Sequence, residues 1–218
     1  MIAADIIDRC SMQLNDSARV RWTERMMLDF LTDAMRQTVL NRPDANPAIV
    51  VMKLERGKHR QKIPDGNFML LKVVRNMGIT GDTPGAPLTM TTRESMDAAY
   101  GVMDIESDVA LQYAFVQATP EYFWVYPLPG DSVYLELECA ADVPQLTSMN
   151  DKLGMSEVWA EPLREYVLYR ALSVNGANQI DNARSMNHLQ QYYLAIGNEK
   201  AARMLGDPYN RSSDLAPQ

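Results

Sequence analysis

The sequence predicts an α+β fold, a helical bundle built from N- and C-terminal helices with an inserted antiparallel β domain. Two observations predict this class. Apolar residues recur at helical spacing before residue 42 and again after residue 156, whereas the middle of the chain holds short β-branched runs separated by turn formers. Helices at both ends with strands between them are typical of a helical layer interrupted by a sheet. The predicted divisions are 1–42, 49–141, 156–206 and a terminal segment, 207–218.

The first division predicts two helices. The turn formers Asn15-Asp16-Ser17 separate them, and Thr23 is a good N-cap for the second helix. That helix must end before Pro43, because the residue that precedes a proline avoids helical backbone angles. Apolar residues about one turn apart mark the first helix: Ile2, Ile6, Cys10 and Leu14.

The predicted β domain opens with a hairpin. A strand over 49–55 precedes the turn Arg56-Gly57-Lys58, and residues 61–63 form the returning strand. Pro64-Asp65-Gly66-Asn67 is a second turn, where proline fixes φ and glycine admits positive φ, and a strand over 68–75 follows.

The second half of the β domain is predicted to contain a short helix and three further strands. Thr91-Thr92-Arg93-Glu94 matches the capping box of a helix that reaches about Tyr100. The last strand has one buried face and one solvated or interfacial face. Its buried residues are Val133, Leu135, Leu137 and Cys139, and its outward residues are Tyr134, Glu136, Glu138 and Ala140.

The C-terminal third predicts two more helices. The first has Pro162 in its first turn and ends at Asn175-Gly176, and the last begins at Asp181. Residues 207–218 have no periodicity, so we expect them to be unfolded in the free chain. The predicted apolar stripes are Leu163, Val167, Ala171 and Val174, then Met186, Leu189, Tyr193 and Ile196.

Composition excludes several classes of protein. The chain has 218 residues, 46% of them hydrophobic, which is enough for a sizeable core. No apolar run approaches the roughly 18 residues of a membrane helix, and the N-terminal residues do not resemble a signal peptide, so synthesis in a cytosol is expected. Cys10 and Cys139 lie in dissimilar contexts and are predicted to be reduced, buried thiols.

Catalytic motifs are absent from the sequence. It contains no dinucleotide or phosphate-binding glycine loop, no nucleophile elbow and no zinc-protease helix motif. His59 and His188 have no ligand partners at metal-binding spacing and are predicted to be surface residues. Glu136 and Glu138 are better explained by a solvated strand face than by acid–base work. We therefore predict no enzymatic activity, no cofactor and no metal.

Charge is distributed unevenly along the chain, whose net charge is -7. Residues 53–75 contain seven basic and two acidic residues, whereas residues 94–165 contain fourteen acidic and two basic residues. Two interpretations stay open at this point. The basic hairpin is either solvated on its own, or it contacts an acidic surface of the next copy in a head-to-tail ring. The candidate subunit-interface residues are Lys58, Arg60, Lys62, Glu136 and Glu138.

A series of motifs gives the sequence a resemblance to a known family. The motifs are Arg21-Trp22-Thr23, Arg42-Pro43-Asp44-Ala45, Ile63-Pro64-Asp65-Gly66, Arg75-Asn76, Tyr122-Phe123-Trp124-Val125-Tyr126-Pro127 and Glu165-Tyr166-Val167-Leu168-Tyr169-Arg170-Ala171. These motifs follow one another in the order found in the head-to-tail adaptor proteins of tailed bacteriophages, which the chain resembles from about residue 5 to residue 196.

The resemblance implies a structural virion protein of the neck between head and tail. Such adaptors form a homo-oligomeric ring of twelve copies under the portal protein, and the ring gives the tail or nozzle protein its docking surface. DNA passes through the channel without sequence-specific binding, and no cofactor or membrane is involved. Trp22, Trp124, Tyr166 and Tyr169 then anchor the bundle against the sheet. The portal-binding candidates are Arg203, Asp207, Tyr209, Asn210 and Arg211.

Two alternative functions stay open. A tail-completion or tail-tube protein would meet the adaptor and not the portal. A nucleic-acid-binding module would use Lys58, Arg60 and Lys62, but no aromatic residues are interleaved with these bases in the sequence, and the net charge opposes phosphate binding.

Overall fold

Helices flank a stretch of strands in the computed structural model of the protein, which describes residues 1–100, 105–174 and 179–206. The mixed α+β content expected from the sequence is confirmed. The chain divides into two compact units. A helical unit comprises Met1–Ala45 and the chain from Val143 onward, and a β unit comprises Asn46–Asp142.

The N-terminal helices begin and end where the sequence places their signals. Helix α1 spans Ala3–Gln13, and helix α2 spans Glu24–Asn41. The Thr23 hydroxyl accepts a hydrogen bond from the Met26 N–H, which confirms the predicted N-cap. Between the helices, the Asp16 carboxylate accepts three backbone N–H bonds, each 2.9 Å long, from Val20, Arg21 and Trp22. These bonds, that from Trp22 first, lower the pKa of Asp16.

Helix α4 (Ala160–Ser173) lies at the centre of the helical unit and contacts α1, α2 and a following helix, α5 (Gln179–Ala195). The predicted stripe of Leu163, Val167 and Ala171 is buried, but Val174 is 57% exposed. Leu168 and Leu172 are also buried, because α4 has neighbours on more than one side. A single stripe therefore understates how much of this helix is covered. Its predicted end, Asn175-Gly176, lies outside the described residues.

The buried face of α5 differs from the predicted face by one position. Tyr192 is fully buried and Tyr193 is half-buried, because the Tyr192 ring packs against Tyr166 of α4 with their centroids 5.0 Å apart. Gly197, at a φ of +78°, ends the helical run, and a final helix, α6, spans Glu199–Gly206. The predicted last helix is therefore two helices.

The β unit contains a three-stranded antiparallel sheet with the order β1-β9-β3. Strand β1 spans Pro47–Lys53, β3 spans Asn67–Met77 and β9 spans Tyr134–Ala141. Leu135, Leu137 and Cys139 are fully buried while Tyr134, Glu136 and Glu138 are partly exposed, so the predicted alternation is confirmed up to Cys139. The predicted outward position of Ala140 is wrong, because this residue is fully buried.

The remaining elements of the β unit are one helix and six short strands among the described residues: β2 (Arg60–Lys62), β4 (Thr89–Met90), α3 (Arg93–Tyr100), β5 (Glu106–Ser107), β6 (Gln112–Phe115), β7 (Tyr122–Tyr126) and β8 (Leu128–Pro129). Four of these strands form a second sheet with the order β2-β7-β6-β4, in which β4 runs parallel to β6 and the other pairs are antiparallel. Strands β5 and β8 pair with each other. Five strands thus follow helix α3 among the described residues, rather than the predicted three.

The predicted hairpin over 49–63 is wrong. Strand β1 pairs with β9, and β2 pairs with β7. The buried Gln61 side chain explains the separation, since it makes the bonds that a hairpin ladder would have made. Gln61 accepts a bond from the Glu55 N–H at 2.8 Å and donates bonds to the carbonyls of Glu55 and Lys58. The side chain therefore holds the loop between two strands that belong to different sheets.

Helix α3 begins one residue away from the predicted capping box. The Thr92 hydroxyl accepts the Ser95 N–H at 3.1 Å, so the cap is Thr92 with Ser95 rather than Thr91 with Glu94. The four predicted aromatic anchors also divide between the units. Trp22, whose Nε1 donates to the Ala171 carbonyl at 3.0 Å, lies in the helical unit with Tyr166 and Tyr169, whereas Trp124 lies in the β unit.

Candidate functional site

The basic residues predicted to form a subunit contact line one open groove of the β unit. Lys58, Arg60 and Lys62 lie on or just before β2 and are exposed. The groove has a volume of about 430 Å³, and its lining also includes Glu55, His59 and Tyr122. The pairing of β2 with β7 brings Tyr122 opposite Lys62, which places an aromatic ring beside bases that are far from it in the sequence.

Carboxylates of the same unit compensate these bases. Lys58 forms an ion pair with Glu55. The Lys62 Nζ lies 3.4 Å from Asp65 and 3.9 Å from Glu121, and the hydrogen bond to Asp65 is the main cause of the raised pKa of Lys62.

Arg60 stacks over the Tyr122 ring, 3.9 Å from its centroid. Two of the three bases are therefore paired with carboxylates, which reduces the positive charge that the groove offers to a phosphate backbone.

Arg56 is a basic residue of the same segment whose partners the sequence analysis did not find. Its guanidinium lies 3.1 Å from Glu106 and 3.0 Å from Asp131, and the hydrogen bond to Glu106 is the largest cause of its raised pKa. All three side chains are about half exposed or more. The strong basic balance of residues 53–75 is thus offset by acids that lie 50 and 75 positions further along the chain.

The acidic candidates lie on the outer face of the three-stranded sheet. Glu136 forms an ion pair with Arg75 of β3, with 2.8 Å between Oε2 and Nε, and the Glu136 side chain is 22% exposed. Glu138 lies between Ile49 of β1 and Lys72 of β3 in the strand register. The predicted solvated face is therefore a surface that mixes charged residues with apolar ones, because β1 contributes exposed Ile49 and Val51.

The portal-binding candidates are only partly described. Arg203 lies on α6, where it is exposed and pairs with Glu199 at 2.9 Å across one helical turn. The other four candidates, Asp207, Tyr209, Asn210 and Arg211, lie outside the described residues, as does the whole of segment 207–218.

The helical unit contains a buried acid–imidazole pair that the sequence analysis missed. His188 Nδ1 of α5 lies 2.7 Å from Glu165 Oε2 of α4, and the Glu165 Oε1 also accepts a bond from Arg164 at 3.1 Å. The side chain of Glu165 is 8% exposed and that of His188 is 18% exposed. Together with three polar residues of α5 they line a shallow groove of about 480 Å³: Arg184, Asn187 and Gln191.

Electrostatics fix the protonation of this pair. Burial raises the pKa of Glu165, but the hydrogen bonds from His188 and then Arg164 outweigh burial and hold that pKa below the ordinary glutamate value. The carboxylate is thus ionised at neutral pH, and His188 Nδ1 carries the proton that it donates.

The predicted surface position of His188 is wrong. Its partner lies on another helix, 23 residues away, and no local spacing reveals such a pair. His59 is also half-buried rather than on the surface, with Nδ1 2.9 Å from the Val125 carbonyl oxygen and its ring stacked on Tyr126.

Neither cysteine has the properties of a nucleophile. Burial raises the pKa of Cys10 to about 12 and that of Cys139 to about 11, so both thiols stay protonated. Within residues 1–100, 105–174 and 179–206, no three His, Cys, Asp or Glu side chains are grouped so that they could hold a metal ion. The helices in those ranges include none with the length and hydropathy needed to span a bilayer.

The surface of the β unit mixes compensated charges with exposed apolar residues. The comparison with known families identifies the class of protein. The chain belongs to the SU10 adaptor protein family, whose profile matches residues 1–214. This is a family of phage head-to-tail adaptors, which are structural proteins of the virion neck and not enzymes, so the predicted family is confirmed. A search of curated proteins found no match.

Proposed function

We propose that the protein assembles as a ring under the portal, extends the DNA channel and offers the tail or nozzle protein its attachment surface. The observation that carries this proposal is the family match over residues 1–214. We expect the ring to contain twelve copies of the chain. The helices around α4 act in it as one bundle, with the β unit inserted between the two chain segments that form it.

Charge contributes to this assembly by steering. Lys58, Arg60 and Lys62 are each paired or stacked within their own chain, and Glu136 is paired with Arg75. If the bases of one copy contacted the acids of another copy, the new ion pairs between copies would replace the pairs within each chain, so the number of ion pairs would not increase. Exposed pairs of this kind stabilise little, but their fields orient approaching copies over about 10 Å at moderate salt. Rings should therefore form more slowly, and not less tightly, when these bases are replaced by glutamine.

The acidic balance of residues 94–165 fits a DNA channel for a similar reason. Negative surface repels phosphates, so the nucleic acid slides past without adhering to the wall. The compensated charges of the β2 groove also argue against a nucleic-acid-binding module as the alternative function.

The C-terminal end of the chain is the proposed portal contact. Arg203, which is exposed on α6, supports this proposal as an accessible charged residue near that end. Tyr209 and Arg211 are residue types that dominate interface energetics. Deletion of residues 207–218 should leave the thermal unfolding of the free protein unchanged and abolish ring formation on the portal. Normal docking of the truncated chain would refute this contact.

Electron microscopy of the purified protein mixed with its portal tests the function itself. The expected result is a ring stacked on the portal, formed at equal rates with and without added DNA. Binding to an assembled neck but not to the portal would instead identify a tail-completion or tail-tube protein. The chain with Lys58, Arg60 and Lys62 changed to glutamine is the matched control, since it keeps the C-terminal contact and alters only the steering charge.

A further inference from the structure

The two outer strands of the three-stranded sheet differ in whether their free edges are protected from pairing with another chain. Strand β3 has register shifts at three places, and its Asn76 N–H and carbonyl bond to Ala86 and Gly85, which cover this part of the edge. Lys72 and Arg75 add charge along the same strand. Bulges, charges and a covering segment are the devices that proteins use to keep sheet edges from pairing with other chains.

Strand β1 has an unbroken register and an open edge. The Leu54 N–H donates to the Val133 carbonyl, and the Ala141 N–H donates to the Asn46 carbonyl. The backbone N–H and carbonyl groups of the even-numbered residues of this segment therefore point toward β9. The backbone groups of Ile49, Val51 and Lys53 therefore point away from the sheet. No backbone hydrogen bond from elsewhere in the described residues reaches them.

The side chains on this edge are apolar as well as accessible. Ile49 is 71% exposed and Val51 is 46% exposed, and both are β-branched residues that favour extended pairing. An open edge of this kind recognises an extended backbone rather than a helix or a small molecule, because it presents a row of alternating N–H and carbonyl groups.

A second open edge lies in the other sheet of the same unit. The N–H groups of Thr89 and Thr91 donate to Leu111 and Tyr113 of the β6 side, so the backbone of Met90 on β4 points outward. Met90 is 58% exposed and the neighbouring Leu111 is 57% exposed. The remaining edge of this sheet, β2, carries exposed Arg60 and Lys62 and is protected by their charge.

We propose that the open edge of β1 pairs with the open edge of β4 on a second copy of this chain, which joins sheets of neighbouring subunits into one hydrogen-bonded surface. Two different edges that bind each other make a head-to-tail contact, and repetition of such a contact closes a ring. Pairing of β1 with itself would instead close a dimer. The inference rests on the proposed ring and names the surfaces that hold it together.

Charge at the ends of the two edges is complementary. Lys53 has no carboxylate within 4 Å among the described residues, and Glu94, just beyond β4, has no base within that distance in the same set. In a parallel pair a residue bonds to the neighbours of the residue opposite it, so Val51 placed opposite Thr89 bonds to the outward backbone groups of Leu88 and Met90. This register brings Lys53 opposite Thr91, three residues from Glu94. Pairing of β1 with the β2 edge of a second copy would bring Lys53 against Arg60 or Lys62 instead.

Cross-linking on assembled rings tests the proposed pairing directly. Val51→Cys and Met90→Cys are prepared as separate full-length variants, assembled on the portal alone or as a mixture, and treated with a short bifunctional maleimide. The native thiols are both buried and should not react. We expect cross-linked dimers from the mixture and none from either variant alone. Dimers from Val51→Cys alone would overturn the proposal in favour of β1 self-pairing.

Rings that form normally but give no cross-link in the mixture would overturn the edge pairing and leave the proposed function standing. Failure of the wild-type chain to form rings on the portal would instead overturn the proposed function, and the edge pairing with it. Captured cross-links to the portal or to a tail protein would assign the β1 edge to that partner and also overturn the proposal.

Proline variants test the same contact by assembly. Val51→Pro and Met90→Pro each remove an outward N–H and spare the bonds that point into the sheet. Each variant should keep the circular dichroism spectrum of the wild type. The fraction of chains in rings should fall by at least about tenfold, because each interface loses roughly one hydrogen bond together with its apolar contacts.

Ile79→Pro is the matched control for these variants. Ile79 is 75% exposed and lies second in the turn closed by the Gly81 N–H bond to the Gly78 carbonyl, where proline is favoured. It should assemble normally. Normal assembly of both edge variants would overturn the proposal.

Discussion

Charged residues are arranged differently in the two units of the chain. In the β unit, Arg56 bridges Glu106 and Asp131 with all three side chains about half exposed or more. In the helical unit, Glu165 and His188 form a pair with 8% and 18% exposure. The first arrangement gives up little hydration and gains little free energy, whereas the second has lost most of its hydration and depends on its partner. Density of charge in a sequence therefore does not locate the charges on which stability depends.

The difference also separates two uses of polar residues. Exposed, compensated pairs keep the charged side chains of the β unit in contact with solvent, and the proposed pairing of copies then depends on the open strand edges. The buried pair is one of the contacts that join α4 to α5, beside the packing of Tyr166 against Tyr192. Each prediction below changes one side of this comparison.

The largest effect is expected from His188→Leu. The substitution leaves the Glu165 carboxylate buried against an apolar side chain. The loss of one partner from a buried ion pair should lower the free energy of unfolding by about 3 kcal/mol. This value is at the lower end of the costs typical of broken buried pairs, because this pair keeps some contact with solvent. Denaturant unfolding monitored by circular dichroism measures the loss.

The matched control for this variant is the double substitution Glu165→Leu with His188→Leu, which removes both polar groups and should recover most of the stability. Thiol labelling identifies the unit that opens. Cys10 lies in the helical unit and Cys139 in the β unit, and both are fully buried. His188→Leu should accelerate labelling of Cys10 roughly a hundredfold, as about 3 kcal/mol requires, and leave Cys139 unchanged. Equal acceleration of both thiols would show that the units do not open separately.

The next effect is expected in the β unit from a neutral residue, Gln61. Its side chain is 1% exposed and makes three hydrogen bonds to the backbone of residues 55 and 58. Gln61→Ala should cost about 2 kcal/mol, because it leaves buried backbone groups without partners. Labelling of Cys139 should accelerate and labelling of Cys10 should not. An unchanged rate for Cys139 would mean that water replaces the lost bonds and that the loop is not held by this side chain.

A smaller effect should appear in acid. The folded-state pKa of Glu165 lies below its unfolded value, so its contribution to stability is present above about pH 4.3 and is lost as the pH falls through the lowered pKa. The wild type should therefore lose stability more steeply than the double leucine variant between about pH 5 and pH 2. Asp16 and Asp151, whose pKa values are also lowered, are present in both proteins and cancel in the comparison. Parallel acid profiles would contradict the pairing of Glu165 with His188.

The elements that local chemistry determines were predictable from the sequence. The Thr23 cap, the stop before Pro43 and the alternation of β9 up to Cys139 each depend on residues a few positions apart, and all three are confirmed. The partner of β1 was not predictable, because β9 lies some ninety residues further along the chain and the intervening turn signals favour a hairpin. Gln61 decides against the hairpin through its side chain, which no pattern of hydrophobicity records.

The candidate site shows the same division. The family resemblance depends on short motifs in a fixed order, and it is confirmed over nearly the whole chain. The compensation of the basic residues was not predictable, because Arg56 meets Glu106 and Asp131 only after the sheets have formed. The open edges of β1 and β4 likewise exist only once every other strand has its partner, so the sequence gives no sign of them.

The smallest change in stability is expected from replacing Arg56, although this side chain has two acidic partners. Arg56→Gln removes both exposed ion pairs, yet the loop around it stays tied by the Gly57 N–H bond to the Pro129 carbonyl and by the Gln61 side chain. The unfolding midpoint should be unchanged within error at about 1 M salt, where the screening length is about 3 Å, and slightly lowered in dilute buffer. Differential scanning calorimetry at the two salt concentrations measures this, with Arg203→Gln as a control for an exposed pair of the helical unit. A loss at high salt comparable to that of His188→Leu would mean that the exposed cluster of the β unit is as structural as the buried pair, and the contrast between the two units would fail.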